Sequence, residues 1–219
     1  MKPLILVGCE RSQKICIAFR KKGYEAYSND IEPCYGNHPE WHLQMDIFEA
    51  IKLKKWDLGI FHPPCDFLTV SGNRWFFETG KVKEGTIVGK EREKEREKAI
   101  KFFIKLWNCN IPHLAIENPI GIMSTVFKLP TQIIQPYEFG HPETKATCLW
   151  LKNLPRLKGT NNVFFEMQKL PEKEKHRIHY MGGNHKKERS ETYEGIAEAI
   201  AIQWGEALKN NYKDQKTLF

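Results

Sequence analysis

The sequence has no apolar run that approaches the roughly 18–20 residues needed to cross a bilayer. Its first apolar stretch is short and is not followed by a small-residue cleavage site, so no signal peptide is predicted. The six cysteines form no Cys-x-x-Cys pair and no Cys…His-x-x-x-His frame, which argues against structural zinc, and we expect no metal. We therefore expect reduced thiols in a cytoplasmic protein that has no membrane partner.

The composition is that of a globular chain with a modest positive charge. It has 219 residues, 41% of them hydrophobic, which is enough apolar material for the core of one domain. The 34 Lys and Arg residues outnumber the 27 Asp and Glu residues, for a net charge of +7. This balance allows a polyanionic partner without establishing one, and nothing in it indicates the oligomeric state.

Short apolar segments alternate with segments of helical periodicity through most of the chain. The predicted strands are Leu4 to Val7, Tyr24 to Ser28, Leu58 to Phe61 and Leu114 to Ile116. Strands that alternate with helices in this way predict an α/β fold with a mainly parallel sheet. Ligands of such sheets bind outside the carboxyl ends of the strands.

Four chemistry-bearing residues lie at or just beyond those predicted strand ends: Gly8, Asp30, Cys65 and Glu117. Cys65 follows two prolines that cannot continue a ladder, so a loop holds its thiol at the mouth of the sheet. A thiol placed there can act as a nucleophile, and a neighbouring carboxyl can donate or accept a proton opposite it. The alternatives are a small buried cysteine at a strand end and a carboxylate that caps the next helix.

The charged segment 90–98 alternates Lys or Arg with Glu, and we expect it to be the solvated start of a helix. The final helix is predicted from apolar residues at i, i+3, i+4, i+7, i+8 and i+11, which run from Tyr193 to Trp204. We expect a polar tail after it.

The residues 152–189 differ in composition from the rest of the chain. They hold ten Lys or Arg and four Asp or Glu, so most of the net charge lies there. We therefore predict a single core domain of residues 1–151 and 190–206, a small basic insert at 152–189, and a polar tail at 207–219. The insert is a candidate for contact with phosphates, beside the flexible pair Gly182-Gly183, or else an ordinary solvated loop.

Several motifs together resemble the cytosine carbon-5 DNA methyltransferases. The segment from Pro64 to Gly72 is similar to the family's nucleophile loop, and Glu117-Asn118-Pro119 is similar to its Glu-Asn-Val. Tyr193-x-Gly195-Ile196-Ala197 resembles the final motif, and the order along the chain agrees. The first loop, Gly8-Cys9-Glu10-Arg11-Ser12, departs from the family's Phe-x-Gly-x-Gly. The likeness is greatest to small phage- or prophage-encoded members with a minimal recognition insert.

This resemblance implies a Rossmann-like sheet of the class I S-adenosylmethionine-dependent methyltransferase type, with DNA as partner and S-adenosylmethionine as cofactor. Cys65 would attack carbon-6 of a flipped or single-stranded cytosine, and Glu117 would hold the ring at N3. The implied cofactor-binding residues are Gly8, Cys9, Glu10, Asp30, Ile31, Asp46, Ile47 and Pro63. The implied substrate-binding residues are Pro64, Ser71, Arg74, Asn118, Lys145, Lys186, Lys187 and Arg189.

Three other functions remain open at this point. His62-Pro63-Pro64-Cys65 also resembles the loop of exocyclic amino methyltransferases, which need an aromatic residue where Cys65 stands. A Pro-Pro-Cys segment also occurs in thymidylate-synthase-like enzymes, and the small insert allows a nucleotide or single-stranded substrate. The altered first loop is compatible with a catalytically degenerate nucleic-acid-binding module.

Overall fold

The computed structural model describes residues 2–77, 84–181 and 185–216, except for the side chains of 186 and 211–216. Within these residues seven strands form one sheet in the order β3-β2-β1-β4-β5-β7-β6. The strands are β1 Leu4–Gly8, β2 Glu25–Asp30, β3 His42–Gln44, β4 Leu58–Phe61, β5 His113–Pro119, β6 Gln132–Ile134 and β7 Thr147–Lys152. β7 pairs antiparallel with both β5 and β6, and the other neighbouring strands pair in parallel. The predicted mainly parallel Rossmann-like sheet is confirmed.

Helices cover both faces of the sheet. Those in the described residues are α1 Lys14–Lys21, α2 Ile47–Leu53, α3 Gly89–Trp107, α4 Met123–Val126, α5 Phe164–Gln168, α6 Glu172–Lys175, α7 Arg177–Tyr180, α8 Lys186–Ser190 and α9 Glu194–Lys216. None of these helices is long and apolar enough to cross a membrane.

The two faces of the sheet bury separate hydrophobic cores. Ile5 and Val7 of β1 point into a core closed by α1 and α9, whereas Leu6 between them points into a core closed by α2 and α3. This is the alternation that a strand buried on both faces requires. The amphipathic final helix is confirmed, since Ile196 and Trp204 pack in the first core.

The final helix continues beyond the boundary predicted for it. It runs to Lys216, and Leu208 is buried in the same core as Trp204. The first two residues of the predicted polar tail therefore belong to the packed helix, because Leu208 extends the apolar face by one further turn. The buried apolar face of this helix is thus about one turn longer than the spacing up to Trp204 predicts.

The prediction that 90–98 is a solvated helix start is wrong for one of its residues. Arg92 is 7% exposed on α3, whereas its neighbours on the other helix face are open to solvent. The guanidinium is buried because the backbone carbonyls of Asp66 and Ile87 and the rings of Phe67 and Phe76 surround it.

The basic insert begins at the amino ends of the parallel strands, away from the candidate site, and then returns toward their carboxyl ends. Because β7 is antiparallel, Lys152 pairs with Leu114 near the start of β5. Further along, Val163 donates its backbone N–H to the carbonyl of Tyr137, which follows the carboxyl end of β6. The start of the insert and its middle therefore lie at opposite ends of the strands.

Candidate active site

Cys65 lies on a loop that follows β4, and we call residues 63–70 the Cys65 loop. The backbone N–H groups of Leu68 and Thr69 both donate to the carbonyl of Cys65, at 2.9 and 3.1 Å. Pro63 is buried, Pro64 is exposed and Cys65 is half-buried. The loop is thus a tight turn that presents the thiol at the carboxyl edge of the sheet.

The segment after β5 holds one flank of the Cys65 loop. Asn118 is 2% exposed and donates from Nδ2 to the carbonyl of Pro63 at 3.0 Å, so it braces the loop. Ile122 donates to the carbonyl of Leu68 at 2.9 Å. A side chain at Gly121 would place its Cβ 2.0 Å from that same carbonyl oxygen, so only glycine permits this approach.

The carboxylate predicted as catalytic is paired with a histidine. The Nδ1 atom of His62, directly after β4, lies 2.9 Å from Oε2 of Glu117 in β5. Burial alone raises the pKa of Glu117, but the hydrogen bond and charge of His62, and then Lys145, outweigh it and lower that pKa. Burial alone lowers the pKa of His62, but Glu117 and then Glu10 outweigh it and raise that pKa. The two groups therefore favour the carboxylate–imidazolium pair.

Lys145, predicted to bind substrate, faces the same point. Its Nζ donates to the carbonyl of Glu191 at 3.1 Å, and its charge interacts with Glu117 and Cys65. Burial lowers the pKa of this amine, while those two groups act in the opposite direction. A thiol, a carboxylate and a cation thus interact electrostatically at one edge of the sheet.

The thiol is not ionised by this environment alone. Burial, followed by the charges of Glu117 and Asp66, raises the pKa of Cys65 to about 11, although Lys145 acts to lower it. The resting group is a thiol, and its proton has to leave as its sulfur reacts.

A second group of predicted residues lies at the ends of β1 and β2. A Cβ at Gly8 would lie 2.4 Å from Cδ1 of Ile47 and 2.7 Å from Cδ1 of Phe61, so a side chain there would displace these two buried residues. Cys9 adopts a φ of 59°, a left-handed conformation that glycine adopts more readily. Burial, and then the charges of Asp30 and Asp46, raise the pKa of Cys9 to about 12. These two carboxylates therefore lie close enough to the loop of Cys9 to act on its thiol.

The two carboxylates also shape the backbone around them. Asp30 accepts from the backbone N–H of Glu32 at 3.0 Å, and Asp46 caps α2 by accepting from Phe48 at 2.8 Å. Ile31 leaves 72% of its surface exposed beside Asp30, whereas Ile47 is buried. Carboxylates suit ribose hydroxyls and an exposed apolar side chain suits a purine face, so these residues fit the nucleoside of S-adenosylmethionine.

Glu10 caps the first helix from a position in the loop after β1. Its buried carboxylate accepts from the backbone N–H groups of Ile15 at 2.7 Å and Cys16 at 3.3 Å, and so caps α1. Burial raises the pKa of Glu10 to about 7, against these bonds and the charge of His62. Its predicted contact with the cofactor stays a prediction.

The remaining predicted substrate contacts lie farther apart. Ser71 and Arg74 are exposed in the short helix after the Cys65 loop, and the guanidinium of Arg74 lies over the ring of Trp75. Lys187 lies 4.0 Å above the ring centre of Tyr35, beside the cofactor-side loops rather than over Cys65. Arg189 is exposed and acts electrostatically on Lys145.

Two of the predicted features cannot be placed. The side chain of Lys186 and the pair Gly182-Gly183 lie outside the described residues.

A small cavity opens behind the convergence point. It has a volume of about 30 Å³, and its polar lining includes His62, Glu117, Lys145 and Tyr193. The Nε2 atom of His62 is buried without a hydrogen-bond partner among the described residues. A cavity of this size has room for about one water molecule, which is the ordinary partner for such an atom.

Three solved structures resemble this chain at low sequence identity. A candidate DNA modification methyltransferase encoded within an E. coli prophage is 12% identical with a TM-score of 0.44, over 68% of this chain and 46% of that one. The Dnmt2 methyltransferase of S. pombe is 18% identical with a TM-score of 0.43, over 79% and 57%. A DNMT2 mutant of Spodoptera frugiperda is 15% identical with a TM-score of 0.42, over 68% and 49%.

The chain spans about half the length of these structures. At such identities and TM-scores, the similarities say nothing about what this chain acts on. No protein-family model matches the sequence, and no curated protein matches it.

Proposed function

We propose that this protein is an S-adenosylmethionine-dependent methyltransferase that modifies carbon-5 of cytosine in DNA through a covalent adduct with Cys65. The observation that carries the proposal is the convergence of Cys65, Glu117 and Lys145 at neighbouring strand ends. Asp30 and Asp46, which suit the nucleoside of the donor, lie on the same edge of the sheet.

Carbon-5 of cytosine is a poor nucleophile until a thiol adds to carbon-6. In this step the Cys65 sulfur bonds to carbon-6. The electron pair of the carbon-5–carbon-6 double bond then forms a carbon-4–carbon-5 double bond, and the carbon-4–N3 pair moves onto N3. The thiol has a pKa of about 11, so its proton passes to the ionised Glu117 carboxylate as that bond forms. Lys145 favours the step because its positive charge stabilises the developing thiolate.

Glu117 is the group that holds the ring at N3. Its hydrogen bond to His62 fixes one carboxylate oxygen, which leaves the other to face the pyrimidine. The His62 charge keeps Glu117 ionised in the resting site, so that this carboxylate can take the Cys65 proton. As a carboxylic acid it then donates to N3 and passes the proton to N3 as charge develops on the ring. S-adenosylmethionine, when bound, supplies an electrophilic methyl group. The carbon-5 proton then leaves to water as the Cys65 sulfur leaves from carbon-6, and the N3 proton returns through Glu117 to that sulfur.

The direct test is the chemical identity of the product. The protein is incubated with methyl-labelled S-adenosylmethionine and cytosine-containing DNA as duplex and as single strand, and also with dCMP. The DNA is then hydrolysed and its nucleosides are separated. We expect label in 5-methylcytosine. Label in N4-methylcytosine would contradict the covalent mechanism, label in dCMP alone would exclude DNA as the substrate, and no label anywhere would overturn the proposal.

A further inference from the structure

The second flank of the Cys65 loop is formed by two arginines of α3. Nη2 of Arg92 donates to the carbonyl of Asp66 at 2.8 Å, and Nε of Arg96 donates to the carbonyl of Phe67 at 2.9 Å. These carbonyls belong to the two residues that directly follow Cys65. The arginines are four positions apart, so they lie on the same helix face and reach consecutive peptide groups.

Aromatic rings and further hydrogen bonds hold both guanidinium groups in place. Arg92 lies between the rings of Phe67 and Phe76, with centres 5.0 and 5.1 Å away, and its Nη1 donates to the carbonyl of Ile87 at 3.3 Å. Arg96 lies 3.5 Å above the ring centre of Phe76. Each guanidinium is therefore fixed in plane and direction where it meets the loop.

The chain also leaves space for this arrangement. A Cβ at Gly72 would lie 2.4 Å from Nη2 of Arg92, so the backbone passes the guanidinium only because residue 72 is glycine. Gly72 is the glycine of the motif that begins at Pro64. Its place in that motif is explained by the room that Arg92 needs.

Burying an arginine is costly, and burial lowers the pKa of Arg92. Methionine, an unbranched apolar side chain, would avoid that cost. What methionine lacks is the pair of directed N–H groups that Arg92 aims at backbone carbonyls, so those bonds are the specific contribution of the arginine.

We propose that Arg92 and Arg96 are positioning residues that set the place of the Cys65 thiol by holding the two peptide groups after it. The catalytic part of this inference rests on the proposed function, whereas the geometric part does not. Without the two arginines, the segment after β5 still holds the loop, but from one side only. A displaced thiol meets carbon-6 less often in a reactive geometry, and an error of about 1 Å costs roughly 100-fold in rate.

The test uses Arg92→Met and Arg96→Met, with Lys94→Met as a control that removes the same charge from an exposed position of the same helix. The rate of covalent adduct formation is measured with an oligonucleotide that contains 5-fluorocytosine, in the presence of S-adenosylmethionine. We expect each arginine variant to form adduct about 10–100-fold more slowly, with the affinities for donor and oligonucleotide unchanged. Arg92→Lys should recover only part of the rate, because an ammonium lacks the planar fork. Adduct rates equal to that of Lys94→Met would overturn the proposal.

Gly72→Ala is a variant in which neither arginine is substituted. Its methyl group displaces the Arg92 guanidinium, so we expect the same slowing as in Arg92→Met and no further slowing in the double variant. Independent, additive effects of the two changes would contradict a shared cause. If Arg92→Met fails to fold, Arg96→Met and Arg92→Lys decide the question.

Hydrogen exchange separates this inference from the proposed function. The backbone amides of Leu68 and Thr69 donate within the Cys65 loop, and we expect them to exchange faster in both arginine variants than in Lys94→Met. This result requires no substrate. A parent protein that forms no adduct while the variants show faster exchange contradicts the function alone. Unchanged exchange contradicts the positioning role, whatever the protein catalyses.

Discussion

His62 and Glu117 form a buried pair across neighbouring strands, with 2.9 Å between Nδ1 and Oε2. Their side chains are 13% and 26% exposed, so water screens the pair only weakly. Lys145 and Glu10 are the further charged groups that act on it. The interaction with His62 therefore controls the protonation state of Glu117, the carboxylate proposed to face the cytosine ring.

Replacing His62 with phenylalanine should raise the pKa of Glu117, because burial then acts without the opposing imidazolium. Any inflection that Glu117 causes in the pH profile of kcat/KM should move to higher pH, whichever protonation state the reaction uses. His62→Asn retains a hydrogen-bond donor without the charge, so its pH profile should lie between those of the parent and of His62→Phe. A profile identical to that of the parent would show that the pair does not control Glu117.

Glu10 gives the protein a dependence of stability on pH. Its pKa is 4.5 in the unfolded reference and about 7 in the fold, so the folded state binds more protons between these values. The free energy of unfolding therefore falls as pH rises through this window, by about 3 kcal/mol if Glu10 titrates independently. Glu10→Gln should remove that fall in urea titrations. It should leave donor affinity unchanged, since the carboxylate caps α1, and a weaker affinity would instead support the predicted cofactor contact.

Asp30→Ala should weaken binding of S-adenosylmethionine. Two lost hydrogen bonds from ribose hydroxyls to a charged acceptor amount to about 1.5–3 kcal/mol, or roughly 10–100-fold in Kd. Calorimetry measures this, with Glu32→Ala as the control because Glu32 is an exposed carboxylate two residues away. Equal Kd values for both variants would move the donor site elsewhere.

The insert offers a charge-matched comparison. Lys187 and Arg189 lie on the side of the site, whereas Arg156 and Lys158 are exposed near the opposite edge of the sheet. Changing the first pair to alanine should weaken DNA binding about equally on all sequences and reduce the salt slope by about 0.7–0.9 per phosphate contact. The second pair should leave both unchanged. Equal effects of the two pairs would indicate nonspecific loss of charge.

The sheet and the convergence of Cys65 with Glu117 were predictable because parallel strands end at one edge, so residues at strand ends become neighbours. The cap of α1 was not predictable, since Glu10 reaches the helix from outside the usual capping position. The burial of Arg92 was also missed. Its alternating charged neighbourhood is typical of a solvated helix, and only the tertiary approach of Asp66 and Phe67 supplies its partners. His62 carried a weak signal, as a histidine at a strand end beside the predicted nucleophile.

The most direct test of the central claim is covalent trapping at Cys65. The protein is incubated with S-adenosylmethionine and DNA that contains 5-fluorocytosine, and the modified peptide is identified by mass spectrometry. Fluorine at carbon-5 cannot leave as a proton does, so the account predicts a stable adduct on Cys65 and none with Cys65→Ser, whose donor affinity is retained. Methylation by Cys65→Ser at a rate near that of the parent, or an adduct on another residue, would contradict the account.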